Sequence, residues 1–535
     1  MNPSPSALKS TSSASRLPFP EHLENLRALM PRLVEIMESG KPTWYAFAFL
    51  EEVVSITTTA HRTELSQTQT DRGIVLRILA NGKNYEHATN ELEEASLLKA
   101  AANLRSVVEK EKPVEDAPVY RPESWEKLSA QNLPEATRAQ FPKSADPKEP
   151  VHFSPIVSLS PWEIPLGELM EKTRALKKRA EEKDRSFVAE SGGAFTEPLP
   201  FIMATHRLRL VTHVFVDREK NMSQSLPVCM AIISGQSAKG KSGRSFVGGS
   251  GGLELLSPTD DDFVDAIEIP HRLDKAKRLA PGIYPVISGP DVTGVIAHEA
   301  FGHTQEGDTV RQGRSVSTGF AASRVGNDEA TIMNDAAVFA MEEKSHGSNA
   351  SYFFDHEGQF AAPQAILNKG FLSPPMTDLL SALHLGAPRT GNGKRESWRR
   401  PTLVRQTNTY FTAGTHTLEE LIGMTKGTAY LAVESHGGME DPKGANLTAG
   451  AEYFEEIIDG KRTGELVVGP QGGHIELSGY VPDMLSNILG KTKVSSEAIS
   501  PVPESLSGGC GKYHKEYVQA GCGGTYILWK GLTCG

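Results

Sequence analysis

The stretch DVTGVIAHEAFGHTQEGD, residues 291–308, decides how the rest of the chain is read. An apolar lead runs into His298, Glu299 and His303, which brings two imidazoles and a carboxylate together as a hydrolytic metal site requires. The common helical spacing is H-E-x-x-H, with both ligands on one face. Here Gly302 occupies the place of the second histidine, and His303 follows one position later. On a regular α-helix residues five apart point about 140° away from each other, so both rings cannot reach one ion. A helix end or a wide π-type turn at Gly302 would rotate the second ring back into register. The motif alone is equally compatible with two ordinary core or solvent-facing histidines on an amphipathic helix.

Downstream of this stretch, residues 257–535 are rich in short apolar runs, turn residues and β-branched positions, with helical segments at 293–302 and 418–425. They predict a β-rich C-terminal domain of barrel or sandwich type. Upstream, residues 22–39 carry apolar groups at helical spacing with Pro31 as a kink, and residues 44–79 alternate in strand fashion. Residues 90–110 return to a helical period with Asn90 as a cap. The reading is therefore α+β: an N-terminal sheet-and-helix region followed by the β-rich catalytic domain. Its expected boundaries are a disordered start at 1–20, an N-terminal α+β domain at 21–110 and a linker-like segment rich in Pro, Glu and Lys at 111–160. A middle α+β domain follows at 161–256. Its charged helix, 168–185, reads as a solvated face, and strands occupy 199–256.

Residues 235–242, GQSAKGKS, satisfy the P-loop pattern and follow an apolar run. A P-loop opens directly into a helix whose N-terminus holds phosphate, whereas this chain continues GRSFVGGSGG. That many glycines do not start a stable helix, so a hairpin connection is expected in place of a nucleotide site.

A formal charge of −10 leaves no broad basic surface for nucleic acid or an anionic membrane. No run reaches the roughly 18 apolar residues of a membrane span, and the Ser- and Pro-rich start lacks a secretory h-region, so the expectation is a cytoplasmic protein. Four cysteines in 535 residues, three of them at Cys510, Cys522 and Cys534, do not make a disulfide framework.

Beyond the residues themselves, HEAFGHTQEGD resembles the HExxxH segment of the TldD/PmbA family. DHEGQFAAPQAILNKGFL (355–372), TGNGKRES (390–397), VRQTNTYFTAG (404–414) and GGCGKYHKEYVQAGCGGTYIL (508–528) are similar to further family stretches, in the family's order. Together they span residues 292–528, with a weaker likeness at 71–92. The resemblance implies that His298, His303 and Cys510 hold one Zn2+ per chain. Two imidazoles and one thiolate leave a fourth position open for water, whose pKa zinc lowers to about 7. Glu299 is then the general base. The implied activity is hydrolysis of peptide bonds in small or unfolded polypeptides held as an added β-strand. The implied assembly is a homodimer, or a heterodimer with a related subunit lacking HExxxH. The alternative is a non-catalytic, metal-containing peptide-binding subunit of such a complex.

Around residues 514–516 the family pattern is broken, so His514 competes with Cys510 as a ligand. Glu306 and Asp308 read either as carboxylates supporting the ligands or as a solvent-exposed acidic loop. Cys522 and Cys534 read as a small buried residue and a free terminal thiol, and His356 and His384 as structural. Arg389, Arg395, Arg399, Arg400 and Arg405 read as a solvated strand edge ahead of a carboxylate-binding wall.

Overall fold

Alternation along the first long strand sets the architecture of the N-terminal half. In the computed structural model, which describes residues 15–123, 127, 133–141, 149–321, 323–339, 347–493, 508–513 and 516–535, strand β1 (Tyr45–Ala60) sends its side chains to two different cores. Ala46, Ala48 and Leu50 meet helices α1 (Glu24–Glu38) and α2 (Glu94–Glu109), while Tyr45, Phe47 and Phe49 meet Phe353, Phe354 and Phe360 from the C-terminal half. The second contact fastens the two halves of the molecule together. Pro31 lies inside α1 as expected, but the cap of α2 is Glu93, without a side-chain bond, and not Asn90.

β1 pairs antiparallel with β2 (Glu64–Ala80) along its whole length, and β2 with β3 (Lys83–Thr89). On its other edge β1 pairs with β5 (Phe201–Val216), which continues into β6 (Asn221–Gln236) and β7 (Ser242–Ser250). The regions 21–110 and 161–256, read from the sequence as separate units, therefore share one seven-stranded sheet. Strand pairing is long-range and sequence separation does not reveal it. The last part of the linker-like segment also joins this sheet, as β4 (Val151–Phe153) parallel to β6. At the expected disordered start, Ser15–Arg16 pairs with Ile156–Val157, while residues 1–14 lie outside the described residues. Helix α3 (Leu166–Glu190) packs its apolar side on β1 and β5 and leaves its charged side to solvent.

The P-loop-like residues form the turn between β6 and β7, where Gln236 pairs with Ser242 and Ser237 donates to the Lys241 carbonyl. The Lys241 ammonium is bound by the Gly472 carbonyl. No helix follows the motif, so a nucleotide phosphate has no helix N-terminus there.

The C-terminal half is β-rich, and the whole is α+β. Its main sheet runs β8 (Lys277–Arg278), β18 (Lys461–Val468), β17 (Asn446–Ile458), β16 (Thr428–Asp441), β9 (Gly282–Ser288), β24 (Ile527–Cys534) and β19 (Ile475–Tyr480), with β20 (Ile488–Lys491) on β24. Because β17 also pairs with β19, five of these strands close on themselves as a small barrel. Beside it lies a sheet in the order β12 (Phe371–Leu372), β11 (Gln364–Asn368), β10 (Ile332–Asp335), β15 (Asn408–Phe411) and β23 (Gly521–Gly523). Helix α4 (Pro290–Glu299) packs between the two, against β16 and β17 on one side and β15 and β23 on the other. This buries every residue of α4 from Val292 to Glu299 and fixes where its last turn points. Among the described residues no helix is long and apolar enough to cross a membrane.

Candidate metal centre

Helix α4 begins with Pro290, whose fixed φ suits the first helical position. It approaches β23 so closely that a Cβ on Gly294 would stand 1.8 Å from the Gly523 nitrogen. The helix stops at Glu299. Ala300 leaves helical geometry with ψ of 85°, and Phe301 takes a left-handed φ of 68°. Burial of the Phe301 ring, edge-on to Phe320, holds this strained residue in place. The break in the helix thus falls where the spacing demanded one, but the left-handed residue is Phe301. Gly302 has an ordinary φ of −60° and serves close approach: a Cβ there would lie 2.0 Å from the His298 carbonyl oxygen and 2.2 Å from Gln406 Oε1. Gln406 in turn donates to the His298 carbonyl at 3.1 Å.

The turn swings His303 back over the end of α4, so that the two imidazole rings sit edge to face 5.0 Å apart. Cys510 arrives from β21 (Gly509–Lys512), which pairs antiparallel with β22 (Glu516–Gln519). Its Sγ lies 3.2 Å from His298 Nε2 and 3.4 Å from His303 Nε2, and the three donor atoms all fall within 4.8 Å of one another. Glu299 stands beside them with one oxygen, Oε2, 3.9 Å from His303 Nε2 and without a hydrogen-bond partner among the described residues. His298, Glu299 and Cys510 are each more than nine-tenths buried, at the end of a cleft of about 1540 Å3. His514 lies outside the described residues.

Burial opposes charging of His298 and His303, yet the Cys510 thiolate raises both well above the ordinary imidazole range. Burial likewise opposes the thiolate, and the two imidazoles hold Cys510 well below the usual thiol range. Such a thiolate between two imidazoles is the donor set that zinc prefers, so these residues fit that ion. Burial raises the Glu299 carboxyl, and it raises Glu440, on β16, to about 8.

Buried basic side chains key the Cys510 hairpin onto the domain. Arg405 donates to the carbonyls of Cys510 and Glu516, and Lys394 donates to the Gln519 carbonyl at 2.7 Å. Lys512 reaches Glu306 and Asp308, each at 2.7 Å. Against burial, Lys512, His303 and Arg405 hold the Glu306 carboxyl far below its ordinary range. Glu306 and Asp308 are buried, which removes the exposed-loop reading. Glu306 approaches His303 Nδ1 at 3.3 Å, while Asp308 meets Lys512 and neither histidine.

The arginines also depart from the solvated-edge expectation. Arg395 and Arg405 are buried, and Arg389 binds the Asp355–Glu357 carboxylates with little exposure; only Arg399 and Arg400 lie open to solvent. Cys534 is a core residue, whereas Cys522 lines the cleft and acts on His298, a placement its sequence surroundings did not signal.

A second group of donor residues, Glu51, His213 and His356, lies fully buried between the two halves. Gln224 gives its oxygen to the N–H groups of Phe353 and Phe354, so its nitrogen donates to His213 Nδ1 at 3.0 Å. The Arg395 N–H donates to His356 Nδ1 at 2.9 Å. Nδ1 of each ring accepts a hydrogen bond, which assigns the ring proton to Nε2, the atom that a metal would need bare. His356 is buried and held by the Arg395 N–H and the Phe49 ring.

Comparison with known proteins places these features. Residues 281–530 match the family model described as the PmbA/TldA metallopeptidase C-terminal domain. A Methanothermobacter thermautotrophicus protein named metalloprotease is 28% identical over 282 residues, 52% of this chain and 59% of that one. A Saccharolobus solfataricus protein named zinc metalloprotease TldD homolog is 30% identical over 254 residues, 48% of this chain and 52% of that one. The chain thus spans little more than half the length of these curated relatives. The crystal structure of TldE from Thermococcus kodakarensis shares the fold over 95% of this chain and 99% of its own, with a TM-score of 0.62 and 13% identity.

Proposed function

We propose that this chain, whose residues 281–530 match the PmbA/TldA metallopeptidase C-terminal domain, is a zinc-dependent peptidase of the TldD/PmbA family acting on small or unfolded polypeptides. The observation that carries this reading is the convergence of His298 Nε2, His303 Nε2 and Cys510 Sγ beside the unpartnered oxygen of Glu299. Zinc bound by these three residues supplies Lewis acidity, polarising a peptide carbonyl and making water acidic enough to ionise near neutral pH. The protein does the rest. Glu299 accepts the proton of the attacking water at its carboxylate and passes it to the departing amine nitrogen. Its buried setting favours the protonated form it must briefly adopt. Residues of β16 and of the Cys510 hairpin line the cleft together with the ligands, and their backbone is what an extended peptide would pair with. We assign the second subunit of the assembly either to another copy of this chain or to a related subunit without the histidine pair, as the fold shared with a protein named TldE suggests.

The test is metal content of the wild-type chain and of Glu299→Ala, paired with mass-spectrometric cleavage of an unfolded peptide mixture. Zinc near one per chain in both, with cleavage by the wild type only, is the expected result. Absence of bound metal would sink the proposal, and metal without cleavage in the presence of the partner subunit would favour the peptide-binding alternative.

A further inference from the structure

The position of His303 is not inherited from helix α4. Ala300 and Phe301 are both non-helical, and the short turn His303–Gln305 has Gly302 as its N-cap, a residue with no side chain to accept amide protons. The exposed ends of such a turn need acceptors from elsewhere. Glu440, near the end of β16 and more than a hundred residues away, provides them: its Oε2 accepts the N–H of His303 at 2.8 Å and that of Thr304 at 3.3 Å. Glu440 is 7% exposed, in a strand position where an apolar side chain would be the ordinary occupant. Burying a polar side chain is unfavourable unless it finds hydrogen-bond partners, and these two backbone amides are the donors that Glu440 Oε2 meets. Its other oxygen, Oε1, has no hydrogen-bond partner among the described residues, so the hydrogen bonds of this side chain go to the turn. The other anchors of the site act elsewhere: Gln406 holds the His298 carbonyl and Glu306 the His303 ring.

The geometry points to Glu440 as a positioning residue of the metal centre, a cross-strand cap that seats the turn after α4 and thereby aims the His303 imidazole at Cys510. This role rests on the metal-site reading proposed above. It acts through the His303 backbone. A carboxylate oxygen and an amide oxygen can both accept the two N–H groups, so the role requires an acceptor and not a charge.

Metal-free full-length protein, titrated with Zn2+ against a chromophoric chelator, tests it in the wild type and in Glu440→Gln, Glu440→Val and Glu440→Ala. Valine suits a strand and keeps the folded sheet if alanine does not. The valine and alanine variants should lose about 10- to 100-fold in Zn2+ affinity, as removal of groups supporting a ligand typically does, and the glutamine variant should stay near the wild type. Hydrogen exchange at the His303 and Thr304 amides, measured without metal, should quicken in Val and Ala and not in Gln. Wild-type Zn2+ affinity and exchange in Glu440→Val would overturn the assignment, as would a Gln variant as impaired as Val. A wild-type chain that takes up no Zn2+ would defeat the metal-site reading, while the exchange result would still decide whether Glu440 holds the turn.

Discussion

Arg405, fully buried on the segment leading into β15, donates to the backbone carbonyl of Cys510. The third donor of the proposed metal centre is thus placed by an arginine more than a hundred residues before it. Arg405→Gln should leave a folded protein in which the β21–β22 hairpin is loosened and metal affinity falls about tenfold or more. Chelator competition on the purified variant measures this. Arg405→Lys should not rescue, because an ammonium lacks the planar fork that spans the Cys510 and Glu516 carbonyls.

Gly302 is required for space. Gly302→Ala would push a methyl group into the His298 carbonyl and Gln406, and should cost about 2 kcal/mol or more, with loss of metal. Gly423 closes helix α5 (Leu418–Gly423) with open space around it, so Gly423→Ala should be neutral or stabilise by up to about 1 kcal/mol. Thermal midpoints of the two variants, side by side, separate crowding from a general intolerance of alanine.

One carboxyl in the cleft wall, Glu434, carries a pH-dependent cost. Burial, reinforced by Asp265, Glu452 and Asp291, pushes the Glu434 carboxyl up to about 9 from an ordinary 4.5. A raised carboxyl pKa means the fold prefers the protonated form. The penalty is absent below pH 4.5, grows as pH rises through the window up to about 9, and then levels off. Glu434→Gln should therefore stabilise the protein by about 1–2 kcal/mol at pH 8, allowing for its partial exposure, and by much less at pH 5. Denaturant midpoints at the two pH values measure the difference, and an equal gain at both would refute the assignment.

Lys241 belongs to a turn. Lys241→Ala should remove its bond to the Gly472 carbonyl at a cost of about 1 kcal/mol, and ATP should shift the thermal midpoint of neither protein. Saturable ATP binding lost in the variant would restore the nucleotide reading.

The chain's own periodicities determined its local elements. Strand alternation in 44–79, the helical spacing of 22–39 and the glycine run after Lys241 each depend on neighbours in sequence, and the elements formed where they pointed. The i+5 spacing of His298 and His303 likewise required a broken helix, because the angle between residues on a helix is fixed by the backbone. Tertiary structure decided the rest. The left-handed residue is Phe301 because its ring has a core to enter, and Gly302 is bare because Gln406 and the His298 carbonyl occupy its space. Whether Arg405 lay on a solvated edge or inside, whether the two N-terminal regions shared a sheet, and which carboxylate capped the His303 turn all depended on partners a hundred or more residues away. Burial, hydrogen-bond satisfaction and strand register are properties of the packed chain, and no window of sequence contains them.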